Sequence, residues 1–172
     1  PKQIAAGEAN WEKPISQPAL KQLSEVELFS APASGTRPVL DEHALKRAKE
    51  LFRTPEAEAF FQQLQLACAC STWRQDLDYA KGLALRMHHN ERTLGIARLL
   101  RNHAIVLAQH EETLQAAWAD VRAARFLAHN VDHYPLLISI LTGEAIRELM
   151  EPVVIHLLEG GRPPQKSRER RI

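Results

Sequence analysis

Histidine is the residue type whose spacing comes nearest to suggesting chemistry. His88 and His89 are adjacent, His103 and His110 lie seven apart on one helical face, and His129 and His133 lie four apart. On an unbroken helix the last pair would project from one side. Two imidazoles and a carboxylate can hold a divalent metal. Asp132, Glu144 and Glu148 are the carboxylates that would complete such a set. The opposing considerations are stronger. Asn130-Val131-Asp132 reads as a turn ahead of Pro135, and the backbone before a proline is driven out of the helical region. No H-E-x-x-H is present. His129, His133, Glu144 and Glu148 therefore stand as the candidates of a minor, metal-binding reading. Solvated or hydrogen-bonded histidines are the major one.

Other chemistries find less. Glu144 and Glu148 are one turn apart, a spacing that serves acid–base work when one carboxyl is held neutral. Arg147 lies beside them and Arg98, Arg122 and Arg125 are placed to face them, which favours structural ion pairs. Asp120 reads the same way against those arginines. Cys68 and Cys70 are two residues apart, on opposite sides of a helix, and are too few for a disulfide framework. They read as small hydrophobes, with a metal or redox pair as the lesser reading. The seven glycines are scattered, so no phosphate loop forms. Ser71, Ser139 and Thr142 have no nucleophile-elbow context. No residue receives a catalytic or cofactor-binding role, and no cofactor is implied.

The elements that would position these groups are helices. Of the 172 residues, 45% are apolar and 25% charged, with Ala and Leu leading the apolar set, which favours helix over sheet. Residues 1–38, rich in proline, read as an extended or partly helical arm. Its helical piece is Pro18 to Phe29, and Trp11 and Phe29 are its expected anchors. Residues 39–160 read as one helical domain. Asp41 caps a first helix, and Thr54-Pro55-Glu56 opens a second that buries Ala57, Phe60, Phe61, Leu64, Ala67 and Cys68. Residues 72–90 fit neither period and read as an irregular crossing. Three longer helices follow. The first, about Glu91 to Gln109, has an apolar face broad enough for two neighbours. The second, about Glu112 to His129, turns Ala117, Trp118, Val121, Ala124 and Ala128 inward. The third begins at Pro135 with Leu137, Ile138, Leu141, Ala145, Ile146 and Leu149 inward, kinks or restarts at Pro152, and stops at Gly160-Gly161. Residues 161–172 read as a basic flexible tail.

The expected fold is all-α: an irregular bundle, or an array of tetratricopeptide-like αα-hairpins, of about five to six helices. Small residues at Ala104, Ala108, Ala117 and Ala124 have the texture of such hairpins, though no thirty-four-residue period continues along the chain. Leu77-Asp78-Tyr79, Gly82, Ala97-Arg98-Leu99-Leu100, the stretch Ala117 to Ala128, and the Pro-led Leu136 to Ile146 resemble a group of uncharacterised helical proteins of planctomycete-type bacteria. The resemblance spans roughly half of the chain and implies an all-α, repeat-like domain of unknown function, with no catalytic residues to carry over.

A formal net charge of +1 supplies no global field for nucleic acid or an anionic membrane. The tail carries five cations without interleaved aromatics, so nucleic acid is not an expected partner. The longest apolar run, Leu136 to Leu141, is broken by Ser139 and too short to span a bilayer. A chain that opens on Pro1 reads as trimmed or processed. Its compartment stays open, an exported or envelope location included. The function expected is a helical scaffold or protein-interaction module that binds a protein or peptide. Trp73, Met87 and Tyr134, with Trp11, are the large side chains whose exposure would mark the surface. A histidine–carboxylate metal protein or enzyme, and a homo-oligomerisation unit, are the alternatives.

Overall fold

The computed structural model describes residues 18–30, 39–68, 88–134 and 136–159. Trp11, Trp73, Met87, Cys70 and the basic tail lie outside them. The fold is all-α, with six α-helices among the described residues: α1 (Pro18–Glu25), α2 (Glu42–Phe52), α3 (Pro55–Cys68), α4 (His88–Leu107), α5 (Leu114–Asp132) and α6 (Leu137–Leu158). Two residues of extended chain on either side of residues 31–38, β1 (Phe29–Ser30) and β2 (Val39–Leu40), pair antiparallel with Phe29 opposite Leu40.

Local chemistry sets the early boundaries. The Asp41 carboxylate accepts from the His43 and Ala44 amides at 2.8 and 3.1 Å, the N-cap expected for α2. Pro55 opens α3 behind Thr54, whose hydroxyl accepts from the Ala57 amide. The loop between α4 and α5 is tied by the Thr113 hydroxyl, which donates to the Leu107 carbonyl.

Helices α4, α5 and α6 form an antiparallel trio in which α5 packs against both neighbours and α4 also contacts α6. Gln109, just past α4, reaches His156 near the end of α6, so those two helices run the same way. The broad apolar face of α4 does serve several neighbours: Ile96, Ala97, Leu99, Leu100, Ala104 and Ile105 are buried, and α1 and α2 cover what the trio leaves.

Helix α1 belongs to that core. Leu20, Leu23 and Leu28 are fully buried, each contributing about 2 kcal/mol of apolar burial. Two polar side chains of α4 hold it in place. Asn102, itself fully buried, donates to the carbonyls of Leu23 at 2.7 Å and Val26 at 2.9 Å. The buried Arg101 pairs with Glu27 at 3.2 Å. These bonds satisfy carbonyls at the C-terminal end of α1 that a helix leaves open.

Three expectations about the long helices are corrected. Helix α5 does not end at His129 but continues through Asp132. The proline constraint reaches only Tyr134, leaving the three residues before it free to stay helical. Helix α6 does not restart at Pro152 and is continuous from Leu137 to Leu158. The missing amide costs one bond, to Glu148, and the helix goes on.

The third correction concerns which face of α6 is buried. Ser139, Thr142, Gly143, Ile146, Met150, Val153 and Leu157 point inward, while Leu137, Ile138 and Leu141, expected inside, are exposed. The small residues let α6 approach α5 closely. A Cβ on Gly143 would run into the Asp132 carboxylate and stand 3.2 Å from the Ala128 carbonyl, so any larger residue requires the Asp132 side chain to move or the helices to part. Thr142 buries its hydroxyl by donating to the Ile138 carbonyl one turn back at 2.7 Å.

Candidate functional site

The rotation of α6 creates the feature with the clearest functional meaning. Leu137 and Leu158 are each 73% exposed, Leu141 54%, Ile138 50%, and Ile140 and Ile155 each 47%. Apart from Ile138, these side chains lie along one outward line of the helix, at the heptad-like spacing of 137, 140/141, 144, 147/148, 151, 154/155 and 158. Its middle is charged: Glu144, Arg147, Glu148 and Glu151 are all exposed. A helix that is apolar on nearly all sides is ordinarily enclosed on all sides. Among the described residues, α6 packs chiefly against α5 and α4.

The sequence-derived metal candidates are split between separate interactions. His129 and His133 do come together, against the expectation that a turn would part them. Their rings are 4.4 Å apart and edge-to-face. His133 Nδ1 donates to the His129 carbonyl at 2.8 Å and so closes the end of α5. Glu144 accepts from Arg147 at 2.7 Å, and Arg147 also pairs with Asp132, clasping α6 to the end of α5. Glu148 is exposed further along α6. Among the described residues, no three His, Cys, Asp or Glu side chains converge as a metal site would require.

The expectation for Asp120 is also revised. Its partner is His103, not an arginine: His103 Nδ1 is 2.7 Å from Asp120 Oδ2. Burial pushes the Asp120 carboxyl above its ordinary 3.8, while the hydrogen bond and charge of His103 pull the other way. The imidazole is stacked on Phe61 at 4.0 Å and tilted against Phe52 at 4.9 Å. One histidine from α4 thus joins α2, α3 and α5. Asp120 also borders a cleft of about 400 Å³ whose walls include Phe61, Leu64, Cys68, Leu100 and Phe126. Cys68 is half-buried.

A carboxylate on Nδ1 fixes the tautomer and orientation of an imidazole. With two aromatic rings against it, His103 here does the work of a core residue. The sequence held a signal for this pair that went unread: counted back along α4 and forward along α5 from their connecting turn, His103 and Asp120 stand at nearly the same height.

At the opposite end of α6, Gln109 Nε2 lies 3.5 Å from His156 Nε2. Partial burial lowers the His156 pKa from its ordinary 6.5, with Glu159 opposing the shift.

Of the three residues named for an interaction surface, Tyr134 alone is described. It is half-buried in the connection between α5 and α6, next to the start of the exposed line. No helix among the described residues is long and apolar enough to cross a membrane. Comparison with protein-family models, with curated proteins and with solved structures yields no match to this chain.

Proposed function

We propose that the protein is a helical interaction scaffold whose docking surface is the outer face of α6. The observation that carries this reading is the row of large apolar side chains, Leu137, Ile140, Leu141, Ile155 and Leu158, left in solvent. Five such residues in one line form a patch of the kind that marks interaction sites. They fall into two clusters, one at each end of the helix, separated by Glu144, Arg147, Glu148 and Glu151, whose charges would help set partner and register. The likeness to tetratricopeptide-type hairpins and to uncharacterised bacterial helical proteins belongs to the same reading. Such arrays present helix faces and grooves to peptides and proteins. The histidine–carboxylate alternative needs His129 and His133 to converge with Glu144 or Glu148, and among the described residues no three such groups come together.

The reading is tested by comparing the intact chain with Leu137→Asp/Leu141→Asp in affinity capture coupled to chemical cross-linking. The expected result is loss of the captured partners, with cross-links to the intact chain mapping to α6. Equal capture by both proteins, with helix content unchanged by circular dichroism, would exclude α6 as the docking surface.

A further inference from the structure

We infer that the occupant of the outer face of α6 is a second copy of this chain, packed antiparallel about a two-fold axis that crosses the helix between Arg147 and Glu148. This names the partner for the docking surface proposed above and rests on that reading.

The inference comes from the order of residues along the exposed line. An interface around a two-fold axis must be self-complementary, each residue meeting a residue the same distance beyond the axis. With the axis between Arg147 and Glu148, Leu137 falls opposite Leu158 of the second copy, Ile140 opposite Ile155, and Leu141 opposite Val154, which is half-buried at the edge of its own core. Every apolar position of the seam meets an apolar position. The three apolar pairs lie towards the ends of a seam about 33 Å long. At its centre Arg147 falls opposite Glu148 of the second copy, twice over by symmetry.

Parallel pairing would also match apolar with apolar. It would, however, set Arg147 against Arg147 and each glutamate against itself, and like charges in register disfavour it. The antiparallel arrangement keeps one unfavourable match, Glu144 opposite Glu151. Arg147, which already holds Glu144 at 2.7 Å within its own chain, lies one turn from that contact and offsets part of it. The seam centre carries three glutamates and one arginine per copy, so repulsion weakens the pair at low salt and screening strengthens it.

The buried side of α6 adds a second reason. Ser139, Thr142 and Gly143 fill the inner side of the first half of the helix, so Leu137, Ile140 and Leu141 are outside at one end, as Ile155 and Leu158 are at the other. A short peptide would cover only one end. A second α6 covers both.

Sedimentation equilibrium of the full chain, from micromolar to millimolar concentration, is the test. The expected result is a reversible monomer–dimer equilibrium that tightens as salt is raised. Leu141→Asp should weaken it at least tenfold. Ile138→Asp should leave it unchanged, because Ile138 is equally exposed but stands about 100° around the helix from Leu137. Oxidising a mixture of Leu137→Cys and Leu158→Cys chains should give a disulfide between positions 137 and 158, identified by peptide mass spectrometry. A chain that stays monomeric at millimolar concentration overturns the inference. So does a dimer indifferent to Leu141→Asp, or predominance of a 137–137 disulfide. If the chain is monomeric yet substitutions on α6 still abolish partner capture, the docking surface stands and only its occupant is wrong. If neither association nor capture responds to those substitutions, both readings fall.

Discussion

His156 links a single side chain to the pH dependence of the whole fold. Its neutral ring can accept a hydrogen bond from the Gln109 amide, 3.5 Å away, and burial disfavours its charged form. Its pKa in the folded chain lies below the ordinary 6.5. Below 6.5 the unfolded chain therefore binds more protons at this position than the folded one. The corresponding stability is complete above 6.5 and is lost as pH falls through the lower, folded-state value. Urea unfolding of His156→Gln across this range should show a flatter dependence on pH than the parent. An unchanged slope would place the dependence elsewhere. Gly143 is the second residue with a sharp consequence. A Cβ there meets Asp132, which is held by Arg147, so Gly143→Ala must displace the carboxylate or push the helices apart, at a cost of about 1–3 kcal/mol. Combined with Asp132→Ala the cost should be smaller than the sum, since the obstructing group is gone; chemical denaturation of the two single variants and the double variant measures this.

At the scale of elements, α1 and α6 are decided by opposite means. Helix α1 is eight residues long, too short to persist alone in water. It stands because Leu20, Leu23 and Leu28 are buried and because Asn102 closes its last carbonyls. Asn102→Ala would remove the Asn102 donor from the Leu23 carbonyl and leave the Val26 carbonyl to Arg101 alone at 3.4 Å, costing about 1–3 kcal/mol. The loss should be local first: amide hydrogen exchange should speed up across residues 18–28 before α5 and α6 respond. Uniform acceleration throughout the chain would instead mean that α1 and the trio unfold as one unit. Helix α6 was misjudged in the sequence for a physical reason. With apolar residues on nearly every side, its periodicity does not single out an inner face. In its first half the choice falls to size: the close approach to α5 at Gly143 puts the small Ser139, Thr142 and Gly143 inside.

For the molecule as a whole, the antiparallel trio of α4, α5 and α6 has the most extensive packing among the described residues, and α1, α2 and α3 are fitted to the side of α4 and α5 that the trio leaves open. Asp120 and His103 sit at that junction, and the apolar line of α6 lies on an outward side. By itself the sequence determined the helical class, the caps at Asp41 and Thr54, the broad face of α4 and most of the inward side of α5. Those features follow from local propensity and from a clear 3.6-residue period. Tertiary structure alone decided the length of α5, the pairing of Asp120 with His103, the docking of α1 and the inner face of α6. Each of these depends on which side chain from another helix arrives at a given height, and on how closely two backbones can come. Neither is written in the order of residues along a single helix.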